Sequence, residues 1–247
     1  MEKPIIHAYF ICYNEEVILP HLLSHYSKFC EEITILDNGS NDRSVEIINS
    51  FKNTKIIPYD SNGELNDAIY ILIKNQIWKK SIGIADYVIV GDTDEFIYHE
   101  NILDFLTKSK NEGYTLFKPH GHHMVSDIDF NLEKDDNIFE KVNEGVRTEV
   151  LDKMMMFDCN KIKEINYSFG CHLANPVGEV KIYNNSDLKM LHYKFLGIKL
   201  HNEKYKIRAE RLSKFNLQNG LGSYYLMSKD EQIKDYTGYV NQRKKVI

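Results

Sequence analysis

The sequence predicts an α/β fold with a mostly parallel central sheet flanked by helices, and three observations predict it. Short β-capable apolar runs alternate with helically spaced apolar residues through the first hundred positions. Each run ends in polar residues, and the connections have the length of strand–helix–strand crossovers. The chain, at 247 residues, is long enough for one large domain of this kind.

The elements follow in order. Residues 5–12 are apolar and β-capable, and Asn14 can cap a helix carrying Ile18, Leu19, Leu22, Leu23 and Tyr26 at helical spacing. Pro20 fits that helix only in its first turn. Residues 33–36 form a second strand, closed by the loop DNGSND, and Val45, Ile48 and Phe51 mark a short helix. Residues 55–58 form a third strand. Leu65, Ala68, Ile69, Leu72 and Ile73 line one face of a longer helix ending near Ser81, and residues 87–90 form a fourth strand. Ligands of such sheets bind at the carboxyl ends of the strands. Those ends carry Tyr13-Asn14-Glu15, Asp37-Asn38 and Asp92-Thr93-Asp94, so all three polar clusters are expected on one crevice, with Asp37 and Asp92 at neighbouring strand ends.

The pattern changes after residue 113. Residues 115–119 read as a strand before His120-Gly121-His122-His123, and the charged stretch 131–149 reads as a loop region. A strand over 188–195 and one long helix over 202–219 follow. This divides the chain into a ligand-binding half (1–113), a completing region of the same domain (114–225) and an extension (226–247).

Composition excludes several classes. A formal charge of −5 argues against a nucleic-acid partner, which selects basic surfaces. No apolar stretch approaches the roughly 18 residues of a membrane span; peripheral membrane contact stays open. Residues 1–12 run into Asn14-Glu15-Glu16 with no small-residue cleavage site, so a cytoplasmic location is expected. The four cysteines form no CxxC pair and read as reduced, buried thiols.

The stretch VIVGDTDEF, residues 88–96, crowds Asp92, Asp94 and Glu95 behind a buried strand. Two carboxylates at that spacing reach one hard divalent cation; the plainer reading is a solvated acidic turn. An aspartyl-phosphatase motif would need a small or β-branched residue where Phe96 stands. No Gly-rich, Lys-bearing phosphate loop near the start supports a nucleotidyltransferase.

The blocks YNEEVILPHLLSHY, ITILDNGSNDRS and ADYVIVGDTDEF, in that order, resemble family 2 glycosyltransferases of the GT-A fold, especially bacterial members with a DxDEF metal motif. GHHMVSD, GCHLANPVG and LHYKFLG…RLSKFN are similar to that subgroup too, so the resemblance covers most of residues 5–225. It implies a metal-dependent transfer of sugar from a UDP- or GDP-linked donor to a glycan or other hydroxyl acceptor, with inversion by direct displacement. Tyr13, Asn14 and Glu15 would border the base. Asp37 would accept hydrogen bonds from base or ribose, beside Asn38, where the family pattern has a second acid. Asp92 would approach ribose or metal, Asp94 would ligate Mn²⁺ or Mg²⁺, and Glu95 would bind the sugar or orient a metal-bound water. His192 would complete the metal or phosphate site, or else be an ordinary core histidine. His172 would contact donor or acceptor. His120, His122 and His123 would line the acceptor pocket or lie on the surface.

Two further residues are candidates, one from the helical pattern and one from the displacement that the resemblance implies. At about 100° per residue, Arg208 falls inside a stripe with Leu212, Phe215 and Tyr205. It is either a snorkelling side chain or a guanidinium aimed at phosphate. Displacement requires a carboxylate base; Asp127 is the candidate, with Glu149 and Asp152 as rivals. A catalytically inactive nucleotide-sugar-binding protein of the same fold is the alternative.

Overall fold

In the computed structural model, which describes residues 3–129 and 137–247, β1 (Ile6–Cys12) is buried along its whole length. Its alternate side chains feed two cores, as a strand covered on both faces must. Ile6, Ala8 and Phe10 pack with Leu19, Leu22, Leu23 and Tyr26 of α1 (Leu19–Tyr26), while Tyr9 joins Trp78, Val88 and Val90 on the other face. Pro20 lies in the first turn of α1, where no amide hydrogen is needed.

The chain continues through β2 (Glu32–Asp37), α2 (Ser44–Asn49), β3 (Thr54–Pro58), α3 (Asp67–Gln76), β4 (Tyr87–Asp92), β5 (Glu95–Tyr98), α4 (Ile102–Asn111) and β6 (Leu116–Phe117). Next come β7 (His120–Ser126), α5 (Ile138–Lys141), β8 (Glu144–Arg147), β9 (Met156–Asp158), β10 (Ile162–Glu164), β11 (Val177–Gly178) and β12 (Ile182–Tyr183). It closes with β13 (Lys189–Leu196), α6 (Ile198–Glu210), α7 (Lys214–Gln218), α8 (Lys229–Gln242) and β14 (Lys244–Lys245).

The central sheet has the order β12-β6-β9-β4-β1-β2-β3. Strands β4, β1, β2 and β3 run parallel, and β9 is antiparallel to both β4 and β6. The expected mostly parallel α/β architecture is therefore present. Asp37 and Asp92 end strands that flank β1 and are not adjacent, since Cys12 pairs with Asp37 and Ile11 with Asp92.

A second sheet has the order β14-β8-β7-β13-β5, and its strand β5 begins three residues after β4 of the first sheet ends. This sheet is not evident in the sequence, because its strands come from five separate stretches. The residues 137–149 expected as loop carry α5, β8 and the start of a 3₁₀ turn; residues 130–136 lie outside the described residues. His120, His122 and His123, expected after a strand, follow β6 but themselves belong to a further strand, β7.

Two helices also depart from expectation. On α3, Leu72 is 67% exposed and Ala68, Ile69 and Ile73 are half-buried, while Lys74 is buried. The expected single helix over 202–219 is two, because Leu212 leaves α6 to form a parallel bridge with Leu65. Ser213 then caps α7 by accepting the Asn216 amide at 3.1 Å. The segment 226–247 packs back on the second sheet, where the Tyr236 hydroxyl donates to Ser126 O at 2.5 Å and accepts from Gly197 N at 2.6 Å. Among the described residues no helix is long and apolar enough to cross a membrane, and the four cysteines are free and buried.

Candidate active-site cleft

A cleft of about 410 Å³ opens at the carboxyl ends of β1 and β4, roofed by α6 and the segment after α7. The turn Asp92-Thr93-Asp94-Glu95 lies at its floor because β4 ends there and β5 begins in the other sheet. Antiparallel pairing sets His192 of β13 opposite Glu95, and Tyr193 N donates to Asp94 O at 2.8 Å. Register alone thus brings His192 Nε2 to 3.4 Å from Asp94 Oδ1.

The crowded acids have cationic partners supplied by the chain. Lys74 Nζ lies 2.7 Å from Asp92 Oδ1, and Lys153 Nζ lies 2.5 Å from Glu95 Oε1. Glu95 Oε2 also accepts the Asp92 amide at 3.1 Å. Arg208 Nη2 stands 3.4 Å from Glu15 and 3.5 Å from Asp94, and Lys204 pairs with Glu15. Burial alone would favour the protonated form of Asp94, but His192, Arg208 and Lys204 outweigh it and hold the carboxyl well below the usual range. Asp92 is lowered likewise, burial being overcome by Lys74 and Lys153. Burial, with Arg208 adding to it, pushes Lys194 down to about 8.

Tyr13, Asn14, Glu15, Asp92, Asp94, Glu95, His172, His192 and Arg208 all border the cleft. Arg211 stacks on the Tyr13 ring with its guanidinium carbon 3.2 Å from the centroid. Asn14, at φ 53°, clamps the neighbouring loop through Asn41, donating and accepting at 2.8 Å. His172 follows a turn in which Gly170 and Cys171 both have positive φ. A Cβ on Gly170 would lie 2.8 Å from the His172 ring. His172 Nδ1 donates to Val150 O at 2.9 Å, which leaves Nε2 as an acceptor, and burial lowers the pKa of the ring.

Other expected site residues lie elsewhere. The Asp37 carboxylate is taken up by its own loop, accepting from Gly39 N at 3.1 Å and Ser40 N at 3.2 Å. Asn38 is held by Ser61, and neither residue lines the cleft. Asp127 does not line it either. Because the histidine segment is itself strand, Asp127 is carried past the strand end, where Arg243 pairs with it at 2.8 Å. Its rivals fare no better: Asp152 binds Arg147 at 2.8 Å and Gly121 N at 2.9 Å, and Glu149 begins a 3₁₀ turn off the cleft. His123 packs behind His192, with ring centroids 5.1 Å apart.

Sequence reading missed Lys74, Lys153, Lys194, Lys204 and the pair Tyr224-Tyr225, all on the cleft. Two signals were present. Asp67, Tyr70, Ile71 and Lys74 recur at i, i+3, i+4 and i+7, and Lys153 heads an otherwise apolar Met-Met-Met-Phe run.

Asp94 and His192 supply one carboxylate and one imidazole, and His192 Nδ1 is buried without a partner. Such a pair fits a divalent ion that takes its remaining ligands from phosphate and water. Asp92 does not fit as a direct ligand while Lys74 holds its oxygen. Among the described residues no group of three or more His, Cys, Asp or Glu is arranged to hold a metal.

No family model and no curated protein matches the chain. Among solved structures, residues 1–349 of S. aureus TarS are similar with a TM-score of 0.46 and 14% identity, over 82% of this chain and 63% of that one. Glucosyl-3-phosphoglycerate synthase from Mycobacterium tuberculosis, in complex with Mn²⁺, UDP and glucosyl-3-phosphoglycerate, gives 0.33 and 19%, over 48% and 44%. 4-Diphosphocytidyl-2C-methyl-D-erythritol synthase from Anaerococcus prevotii gives 0.36 and 12%, over 63% and 70%. The chain thus spans less than two thirds of the TarS fragment's length.

Proposed function

We propose that this protein is a glycosyltransferase that moves a sugar from a UDP- or GDP-linked donor to an acceptor hydroxyl by direct displacement. One observation carries the reading: an Asp94–His192 pair at the carboxyl end of a parallel sheet, ringed by lysine and arginine side chains. That arrangement suits a diphosphate, which brings negative charge to a site of fixed cations. The Tyr13 ring, held by Arg211, offers a face for the base. Lys204 and Arg208 hold Glu15 in place and present the remaining N–H groups toward phosphate.

Mn²⁺ or Mg²⁺ held by Asp94 and His192 would offset charge on the departing diphosphate. In place of Asp127, the base is assigned to His172. Its Nδ1–H is fixed on Val150 O, so the Nε2 lone pair is free to accept the proton of the acceptor hydroxyl.

Calorimetry of UDP and GDP with and without Mn²⁺, on wild type and Asp94→Ala, tests the reading alongside a transfer assay over UDP- and GDP-sugars. Nucleotide binding strengthened by Mn²⁺ in the wild type alone, with transfer lost in Asp94→Ala, is the expected result. Identical binding with and without metal would remove the metal role. Binding without turnover of any donor would favour the inactive binding protein.

A further inference from the structure

Most cations on the cleft have an oxygen partner on the chain. Lys74 has Asp92, Lys153 has Glu95, Lys204 and Arg208 share Glu15, and Arg211 donates to Gly63 O at 2.8 Å. Lys194 differs. No carboxylate among the described residues lies within ion-pair distance of its ammonium. It stands instead over three rings, 4.8 Å from the Tyr224 centroid, 5.3 Å from Phe195 and 5.4 Å from Tyr205.

The backbone puts it there. On β7 two steps separate His123 from Val125, whereas on β13 three separate their partners His192 and Phe195. The extra residue is a β-bulge at Tyr193-Lys194, and a bulge re-aims side chains. Lys194 consequently borders the cleft together with His192, two residues earlier on the same strand.

Aromatic faces offset only part of the hydration an ammonium loses. An incoming anionic oxygen therefore gains the most at Lys194, where no existing ion pair must be broken. Resting on the glycosyltransferase reading, we propose that Lys194 is the ligand of the departing diphosphate and favours the leaving group over the intact donor. In the displacement, the bond from the anomeric carbon to the β-phosphate oxygen breaks and its electron pair stays on that oxygen. The acceptor oxygen bonds the same carbon and gives its proton to His172. The diphosphate thus gains one negative charge at the moment of transfer, and that added charge is what an unshared cation stabilises selectively.

The test compares wild type, Lys194→Met and Lys194→Arg on UDP with UDP-glucose, or GDP with GDP-mannose, whichever pair the wild type binds. Lys194→Met should lower kcat about 10- to 100-fold, as expected for a lost charged hydrogen bond, with KM changed less than about threefold. It should weaken the nucleoside diphosphate more than the sugar-linked donor, and Lys194→Arg should recover most of the loss. Equal weakening of both ligands, or unchanged kcat, overturns the proposal while leaving the glycosyltransferase reading intact. With UDP-glucuronate added as a further donor, a loss confined to it would move Lys194 to the sugar carboxylate and overturn the proposal too. Lys194→Gln, read by the same ratio, decides the matter if Lys194→Met does not fold. A wild type that binds neither nucleotide overturns the parent reading and this one together.

Discussion

Replacing Lys153 by Met isolates what the acid cluster demands of the fold. The Lys153 and Glu95 side chains are 6% and 2% exposed, and their charged atoms are 2.5 Å apart. Met fills similar volume but leaves Glu95 facing the cleft floor without its cation. Removing one partner of a buried pair costs about 3–5 kcal/mol. A carboxyl can escape by binding a proton, which from an ordinary pKa near 4.3 costs about 3.7 kcal/mol at pH 7. That route caps the penalty, so a loss of about 3–4 kcal/mol is expected at pH 7. At pH 5 the same proton costs only about 1 kcal/mol, and the destabilisation should shrink accordingly. Urea unfolding of wild type, Lys153→Met, Glu95→Gln and the double variant at both pH values measures this as a double-mutant cycle. The double variant should recover most of the loss, since no charge is then left unpaired. A penalty below about 1 kcal/mol at pH 7, or one that ignores pH, would refute the reasoning.

Two further outcomes follow from packing and burial. In Gly121→Ala the new Cβ would meet Leu151 Cβ at 2.3 Å and its backbone carbon at 2.4 Å. The cost should be at least about 2 kcal/mol, and a denaturation midpoint close to wild type would contradict it. His25 Nε2 donates to Ile97 O at 2.8 Å, and burial pushes its pKa down to about 4. Below about pH 6.5 the unfolded chain binds a proton that the folded chain refuses until about pH 4, so stability falls as pH falls through that window, by up to about 3 kcal/mol. His25→Phe, compared with wild type by urea unfolding at pH 7.5 and 4.5, should show a smaller drop; an equal drop would assign the acid sensitivity to other groups.

The parallel half was legible because its signals are local. Strand β1 is apolar throughout, and Pro20 could sit only in a first turn. The second sheet was not legible, since β5, β7, β8, β13 and β14 meet only through tertiary pairing. That miss propagated to the site. Asp127 looked like an acceptor-side base because it follows the histidine cluster expected to border the acceptor, but β7 runs through those histidines to Ser126 and carries Asp127 past the cleft. Arg208 reached the cleft for a reason other than the stripe that singled it out, because Phe215 lies on a different helix from Tyr205. The lysines escaped notice because a charge on an amphipathic helix or in an apolar run reads as surface until its acid partner, Asp92 or Glu95, is seen across the cleft.

The pairing pattern also divides the acid cluster by function. Asp92 and Glu95 hold lysines at 2.7 and 2.5 Å, the distance of committed charged hydrogen bonds. Asp94 faces His192 and Arg208 only at 3.4 and 3.5 Å, beyond good hydrogen-bond length. Exchanging a partner costs least where the existing contact is longest, so Asp94 is the carboxylate free to take a ligand. The two committed pairs have a different effect. They fix both ends of a four-residue turn that joins two sheets, and a turn held at both ends keeps the carboxylate between them in one place. Three acids behind a buried strand thus amount to one available oxygen donor on a support that the lysines neutralise. That accounts for the crowding without requiring all three to meet a single cation.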